Sequence, residues 1–231
     1  MRQLGRWLKW GTLGIVGLFL VWQLWLLGWV LLWNWVNPGT TRFMEIRLGE
    51  LREKDPNAQL KKEWVPYGRI STHLKRAIIA SEDAKFVDHE GFDWEGMQKA
   101  LEKNQKKGRF VAGGSTISQQ LAKNLFLSPS KSYFRKAEEA IITLMLETLW
   151  SKQRILEVYL NVIEWGNGVF GAEAAARHYY NISAAQLGRE QAARLAGMVP
   201  NPRYYDRNRN APGLAKKTGI IIGRMPSADI P

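Results

Sequence analysis

Residues 81–93 read SEDAKFVDHEGFD, and this polar stretch follows directly on the apolar positions of a predicted helix. Ser71 is a typical helix N-cap, and Leu74 and Ile78 mark one apolar stripe at positions i and i+4. One further turn along that stripe lies Glu82. A carboxylate on a buried stripe, near the negative end of the helix dipole, is expected to have a raised pKa, as a general base working near neutral pH requires. The same stretch also fits an ordinary solvated helix end, because structural charges are perturbed as well.

The N-terminal region has the composition of a membrane anchor. Residues 11–36 carry no charged side chain, and at 1.5 Å per residue they can cross a hydrocarbon layer of about 30 Å. Arg2, Arg6 and Lys9 precede this segment, so the positive-inside rule places the N-terminus in the cytoplasm and sends the rest of the chain outward. A cleaved signal peptide would have a shorter apolar region and a small-residue cleavage site, which residues 33–36 do not provide. The sequence therefore predicts an uncleaved signal anchor.

The charge of the remaining chain restricts its partners. The 231 residues have a formal net charge of +12, and residues 37–231 hold 30 of the 33 basic residues with all 21 acidic ones, a net charge of +9. A basic domain tethered to a membrane indicates anionic head groups or a phosphate-bearing substrate. Nucleic acid is the other usual partner of such charge, but predicted export of the domain argues against it. The absence of cysteine agrees with an exported domain without disulfides.

The periodicity beyond the anchor is helical. Asn37-Pro-Gly39 breaks the first helix, and the segment that follows is interrupted by Pro56 and Pro66. Beyond Ser71 no segment alternates convincingly as a strand, so the fold class is predicted to be mainly α. The predicted organisation is a cytoplasmic N-terminus at 1–10, a transmembrane anchor at 11–36, a juxtamembrane linker at 37–70 and a catalytic-sized domain at 71–231.

One further segment suggests an anion site. Residues 113–124 read GGSTISQQLAKN and place free backbone N–H groups at the start of a helix, where anions bind. Gln120, Lys123 and Asn124 fall on or near one polar face of that helix. An ordinary loop followed by a solvated helix face fits the same residues.

Another segment carries a second carboxylate of interest. Arg135 and Glu139 are spaced i and i+4, and most such pairs are minor surface salt bridges. The next two turns are apolar, so Glu139 is expected to point into a cleft or the core. A buried carboxylate needs partners, which favours a functional role.

Five segments taken together are more specific than any one of them. In chain order they are EDAKFVDHEGFDW, GGSTISQQLAKN, RKAEEAIITLMLE, KQRILEVYLNVIEWGNGVFGAEAAARHYY and LAGMVPNPRYY, within residues 82–205. This set resembles the signature segments of the peptidoglycan glycosyltransferases of bacterial cell-wall synthesis, with all five present in order. Because the sequence ends at Pro231, the resemblance is to members without a transpeptidase domain.

The resemblance implies a fold and an activity. The fold would be lysozyme-like and mainly α, with a larger lobe and a smaller, membrane-touching lobe. The activity would be polymerisation of lipid II, an undecaprenyl-pyrophosphoryl disaccharide-pentapeptide, into β-1,4-linked glycan strands. The donor anomeric carbon would be inverted and undecaprenyl pyrophosphate released. The implied location is the bacterial inner membrane, with the catalytic domain in the periplasm.

The resemblance also implies roles for individual residues. The general base falls on Glu82, which would deprotonate the 4-hydroxyl of the acceptor sugar. The second carboxylate falls on Glu139, which would assist at the donor pyrophosphate directly or through a metal ion. Lys123 matches the family's lysine near that pyrophosphate. Lys131 stands where some relatives have arginine, and a lysine lacks the bidentate fork. The other substrate-binding positions are Ser115, Thr116, Gln120, Asn124, Arg135 and Lys136, while Asp83, Phe86, His89 and Asp93 are expected to shape the cleft.

No obligatory cofactor is predicted, and the three histidines lack metal-ligand spacing. A Mg²⁺ or Mn²⁺ ion at the donor pyrophosphate remains open. The expected partners are lipid II, the growing glycan strand, membrane lipids and other cell-wall synthesis or division proteins, with no nucleic acid.

Two other classes of function stay open. A glycoside hydrolase or lytic enzyme would share the lysozyme-like fold and a pair of carboxylates, but it needs neither the cluster of basic residues nor a membrane anchor. A noncatalytic, membrane-anchored scaffold for cell-wall assembly would tolerate loss of Glu82.

Overall fold

The computed structural model describes residues 2–109, 113–130 and 132–231. The described chain is mainly helical, as the sequence predicts. It divides into two compact units, Met1–Asn37 and Pro38–Pro231.

The first unit is a single long helix, α1 (Arg2–Trp35). Its residues Lys9–Trp35 are long and apolar enough to cross a membrane, in agreement with the anchor predicted at 11–36. The rings of Trp22, Trp25 and Trp29 follow one another along the helix, with centroids 4.9 Å and 6.2 Å apart. The helix ends just before the Asn37-Pro-Gly39 sequence, because proline cannot continue it.

The second unit combines further helices with a small sheet. The helices are α2 (Arg42–Arg52), α3 (Thr72–Glu82), α4 (Trp94–Lys107), α5 (Ile117–Phe126), α6 (Tyr133–Leu149), α7 (Lys152–Val162), α8 (Ala172–Tyr180), α9 (Arg189–Met198), α10 (Pro202–Arg207) and α11 (Pro212–Arg224). The strands are β1 (Lys61–Lys62), β2 (Glu164–Gly166) and β3 (Val169–Phe170). The strand β3 lies in the middle, parallel to β1 and antiparallel to β2.

The second unit begins earlier than the sequence suggests. Residues 38–70 contain α2 and β1 and belong to this compact unit, whereas the sequence predicts a linker up to residue 70. The physical reason is burial, since Met44, Val65 and Ile70 are all nearly inaccessible to solvent. In addition, the side-chain amide of Asn161 in α7 donates to the carbonyl of Val65 and accepts from its N–H, both at 2.9 Å.

Side-chain caps fix the starts of the helices that carry the candidate site. Ser71 accepts from the N–H of His73 at 3.2 Å and begins α3, and Asp93 caps α4. Thr116 begins α5 in a capping box with Gln119, and Ser132 caps α6. Such caps satisfy N–H groups that a helix leaves unpaired. The start of α3 at Ser71 agrees with the sequence-based prediction.

The packing of these helices brings their polar ends together. The helix α5 packs against both α6 and α7, while α3 packs against α9, which in turn packs against α11. Fully buried side chains fill these contacts, namely Ile78, Leu121, Ile142, Leu156 and Leu195. The C-terminal end of α3, the polar face of α5 and the first turns of α6 are therefore held by one apolar core.

Candidate active site

Glu82 is the last residue of α3 and lies where the sequence places it. It continues the stripe of Leu74 and Ile78, which are both fully buried. The Glu82 side chain itself is half-buried. The alternative of a freely solvated helix end is therefore wrong.

The Glu82 carboxylate is held by two hydrogen bonds. Ser81 Oγ donates to Glu82 Oε1 and Gln120 Nε2 donates to Glu82 Oε2, each at 3.0 Å. Burial raises the pKa of Glu82, whereas these two hydrogen bonds and the Lys217 ammonium oppose that rise. The direction is the one expected for a general base.

Asp83 connects the end of α3 to the start of α5. Its buried carboxylate accepts from the backbone N–H of Ile117 at 3.0 Å and pairs with His89 Nε2 at 2.8 Å. Because His89 Nδ1 accepts from the N–H of Gly91, Nε2 carries the proton and donates to Asp83. The neighbouring Phe86 is completely buried. These residues shape the site through structural contacts, as expected for this segment.

A second carboxylate lies among basic side chains. Glu139 is buried, with Arg135 Nη1 donating to one carboxylate oxygen at 2.5 Å and Lys136 Nζ donating to the other. Lys136 Nζ also donates to Ser115 Oγ at 3.3 Å. Within the described chain the Nε atom of Arg135 is buried without a hydrogen-bond partner. Glu139 therefore points inward, as its position before an apolar run predicts.

Lys123 connects the two carboxylates electrostatically. Burial lowers the pKa of Lys123, Glu139 and Glu82 raise it, and Arg135 and Lys136 lower it further. Lys123 follows Gln120 by one turn of α5, so this helix presents an amide to Glu82 and an ammonium toward the Glu139 cluster. Arg135 and Lys136 contact Glu139, and together with the nearby Lys123 these four side chains carry a net charge of +2 that an anion can neutralise.

The remaining predicted binding residues have different surroundings. Thr116 is buried, and its hydroxyl donates to the carbonyl of Gly91 at 2.7 Å. Asn124 is also buried and donates to the carbonyl of Gln120 at 2.7 Å. Ser115 is exposed, and Lys131 lies outside the described residues. Substrate contacts of these four residues stay predictions.

Two residues near Glu82 are not among the site residues that the sequence predicts. The hydroxyl of Tyr159 donates to Gln120 Oε1 at 2.9 Å, and Tyr159 lies within the fourth of the five segments named above. A tyrosine in a buried stripe usually finds a hydrogen-bond partner, so its residue type was the available signal. Lys217 in α11 acts on Glu82 from a segment that belongs to none of the five motifs.

The described residues do not form a metal centre of their own. No group of three or more His, Cys, Asp or Glu side chains converges within residues 2–109, 113–130 and 132–231. Both oxygens of Glu139 are engaged by basic side chains, which compete with a metal ion for that carboxylate. A divalent cation at this point would have to take most of its ligands from a bound phosphate group.

Comparison with known proteins gives a consistent result. Residues 49–226 match the family model described as Transglycosylase. A biosynthetic peptidoglycan transglycosylase of Dechloromonas aromatica (strain RCB) is 84% identical over 231 residues, which are 100% of both chains. Proteins of the same description from Azoarcus sp. (strain BH72) and Aromatoleum aromaticum (strain DSM 19018 / LMG 30748 / EbN1) are 62% identical over 231 residues and 64% identical over 217 residues. These matches cover 100% and 94% of each chain, respectively.

Proposed function

Because this chain belongs to the transglycosylase family, we propose that it polymerises lipid II into β-1,4-linked glycan strands of peptidoglycan. It is a glycosyltransferase of cell-wall synthesis. The main support for the proposal is that α5 carries two functional side chains one turn apart. Gln120 donates a hydrogen bond to Glu82, whose pKa is raised, and Lys123 faces the cluster of basic residues around Glu139. A base for an attacking hydroxyl and positive charge for a departing phosphate are the two requirements of this transfer.

Glu82 acts on the acceptor sugar. Its carboxylate takes the proton of the acceptor 4-hydroxyl as that oxygen attacks the anomeric carbon of the donor. The new C1–O4 bond forms while the bond from C1 to the pyrophosphate oxygen breaks, and the leaving group departs as undecaprenyl pyrophosphate. Attack from the face opposite the leaving group converts an α-linked donor into a β-linked product.

The cationic cluster acts on the leaving group. Negative charge grows on the pyrophosphate as the C1–O bond breaks, so cations placed there stabilise the transition state more than the ground state. Lys123, Arg135 and Lys136 supply this charge, and Glu139 holds the last two in place. The orphaned Nε of Arg135 supports this assignment, because a bound phosphate oxygen would satisfy it.

A divalent cation at the pyrophosphate stays a separate proposal. The described side chains do not supply a ligand set for it, so no step of the transfer is assigned to a metal. We expect polymerisation to continue in EDTA at a reduced rate and to rise on addition of Mg²⁺ or Mn²⁺. Complete and reversible loss of activity in EDTA would assign the metal an obligatory role.

The location and partners follow from the anchor and the substrate. The apolar helix α1, preceded by basic residues, would hold the enzyme in the inner membrane with its catalytic domain in the periplasm. A lipid-linked substrate stays in the bilayer, so anchoring keeps enzyme and substrate together. Membrane lipids, the growing strand and other cell-wall synthesis or division proteins are the partners we propose.

The test is product analysis with the purified full-length chain and labelled lipid II. We expect polymer that lysozyme digests to muropeptides. Cleavage of preformed glycan without polymer would favour the hydrolase, and neither activity would favour the scaffold.

A further inference from the structure

We propose that Tyr159 is a positioning residue for the Glu82 carboxylate and acts through the side-chain amide of Gln120. This inference rests on the proposed role of Glu82 as the general base. Tyr159 itself touches neither the substrate nor the reacting atoms in this account.

The three side chains form a continuous chain of hydrogen bonds across three helices. The hydroxyl of Tyr159 in α7 donates to Gln120 Oε1 at 2.9 Å. The other end of the same amide, Gln120 Nε2, donates to Glu82 Oε2 at 3.0 Å. Tyr159 is completely buried, so its hydroxyl has no water to replace Gln120 as a partner.

This arrangement decides which end of the Gln120 amide faces the base. A glutamine amide has one accepting end and one donating end, and the two have nearly the same shape. Burial raises the pKa of Tyr159 well above its usual value, and Glu82 and Asp83 raise it further, so the phenol keeps its proton and acts as a donor. The accepting oxygen of Gln120 is thereby directed to Tyr159. A flipped amide would instead place that oxygen against the Glu82 carboxylate, acceptor against acceptor.

The consequence for Glu82 is electrostatic as well as geometric. The hydrogen bond from Gln120 favours the ionised carboxylate and works against the effect of burial. Without the Tyr159 hydroxyl, the amide loses one of the two hydrogen bonds that fix its position and orientation beside Glu82. The Glu82 pKa should then rise, and the carboxylate should hold its angle to the substrate less well.

The other charges around Glu82 do not depend on this hydroxyl. Lys217 from α11, Lys123 from α5 and the adjacent Asp83 face Glu82, and none of them hydrogen-bonds to Tyr159 within the described chain. A change in the pH profile on removal of the hydroxyl therefore reports on the connection through Gln120.

The first experiment compares Tyr159→Phe with Tyr179→Phe. Tyr179 is a matched control because its part-buried hydroxyl lies 3.0 Å from each of two acceptors, the carbonyl of Trp165 and the Asp206 carboxylate, and contacts none of the described site residues. We would measure kcat and KM for lipid II with full-length protein from about pH 5 to pH 9. The assay temperature would be set below the unfolding midpoint of the least stable variant, so that folding does not limit the comparison.

Tyr159→Phe should lower kcat about tenfold at neutral pH, with KM changed less than about twofold, because one hydrogen bond to a charged group is lost indirectly. The acidic limb of the kcat profile should move to higher pH. In Tyr179→Phe the acidic limb of the kcat profile should stay at the parental pH. A parental kcat and acidic limb in Tyr159→Phe would overturn the proposal.

The second experiment tests whether Gln120 transmits the effect. In a Gln120→Leu background, adding Tyr159→Phe should change kcat by less than about twofold, since residues that act as one unit are not additive. An undiminished tenfold loss in that background would mean that Tyr159 acts by another route, and the inference would fall.

Glu82→Gln, assayed in parallel, distinguishes failure of the base assignment from failure of the positioning role of Tyr159. If Glu82→Gln retains parental turnover, the base assignment fails and the positioning role fails with it. If Glu82→Gln is inactive while Tyr159→Phe is unchanged, only the positioning role is refuted.

Discussion

His89 Nε2 donates a 2.8 Å hydrogen bond to Asp83 Oδ1, and this pair lies between α3 and α5, two of the helices that carry the candidate active site. The second oxygen of Asp83 accepts from the first N–H of α5, at Ile117. The loop after α3 is therefore bonded to the start of α5. This link sets the distance between Glu82 at the end of α3 and Gln120 one turn into α5.

Replacing Asp83 with Ala should destabilise the second unit and also lower turnover. The substitution leaves the buried N–H of Ile117 and the imidazole of His89 without their acceptor, and an unsatisfied buried donor typically costs about 1–3 kcal/mol. Asp88→Ala is a suitable control, because Asp88 is exposed in the same loop. Thermal unfolding of both variants checks the prediction, and equal midpoints would contradict it.

Replacing Gly91 with Ala should be destabilising by about 1–3 kcal/mol. Gly91 has a φ of +88°, and an added Cβ would lie 2.8 Å from Thr143 Cγ2 and 2.9 Å from Glu147 Cγ. Gly68→Ala serves as the control, since a Cβ there meets nothing within 4 Å. Chemical denaturation should separate the two variants, and a Gly91→Ala protein as stable as Gly68→Ala would refute the close packing of this loop on α6.

Lys123→Ala should be the most damaging loss of a single cation, lowering kcat roughly ten- to a hundredfold because charge-assisted hydrogen bonds to phosphate are strong. Lys131→Ala should lower kcat less than Lys123→Ala does. Lys131→Arg should keep or raise kcat, since the planar guanidinium can form two parallel hydrogen bonds to a phosphate group. Lys99→Ala, at an exposed surface pair, is the control. Rates should be compared at fixed Mg²⁺ or Mn²⁺. Parental polymerisation by Lys123→Ala with and without metal would mean that the phosphate site lies elsewhere.

Two truncations should distinguish the two positions of the domain boundary. Removing residues 1–37 should leave a folded unit that binds anionic vesicles weakly, each basic group near the surface contributing about 1 kcal/mol. Removing residues 1–70 should give a protein that unfolds readily, because it strips Met44, Val65 and Ile70 from the core. Circular dichroism melting checks both proteins. Equal unfolding temperatures of the two truncated proteins would support the sequence-based prediction that residues 37–70 form a linker.

The features that follow from short-range patterns were predictable. The cap at Ser71 depends on residues within one turn, so it can be read from the sequence. The position of Glu82 on a buried stripe follows from helical periodicity in the same way.

The features that depend on distant parts of the chain were not predictable. Arg47 pairs in the interior with Glu164, which lies 117 residues further on, and this contact helps to attach α2 to the sheet. The hydrogen bond from Tyr159 to Gln120 joins residues 39 positions apart. The strands β1 and β3 have only two residues each, too few for an alternating pattern.

Turnover of Glu82→Gln tests most directly whether Glu82 supplies the base for glycan polymerisation. Glutamine keeps the size of the side chain, and its oxygen can still accept the hydrogen bond from Gln120, but the amide cannot take up the proton. With full-length protein and labelled lipid II, turnover should fall by at least the ~10²–10⁴-fold typical of losing acid–base catalysis, while folding and lipid II binding survive. Polymerisation by Glu82→Gln at close to the parental rate would contradict the account.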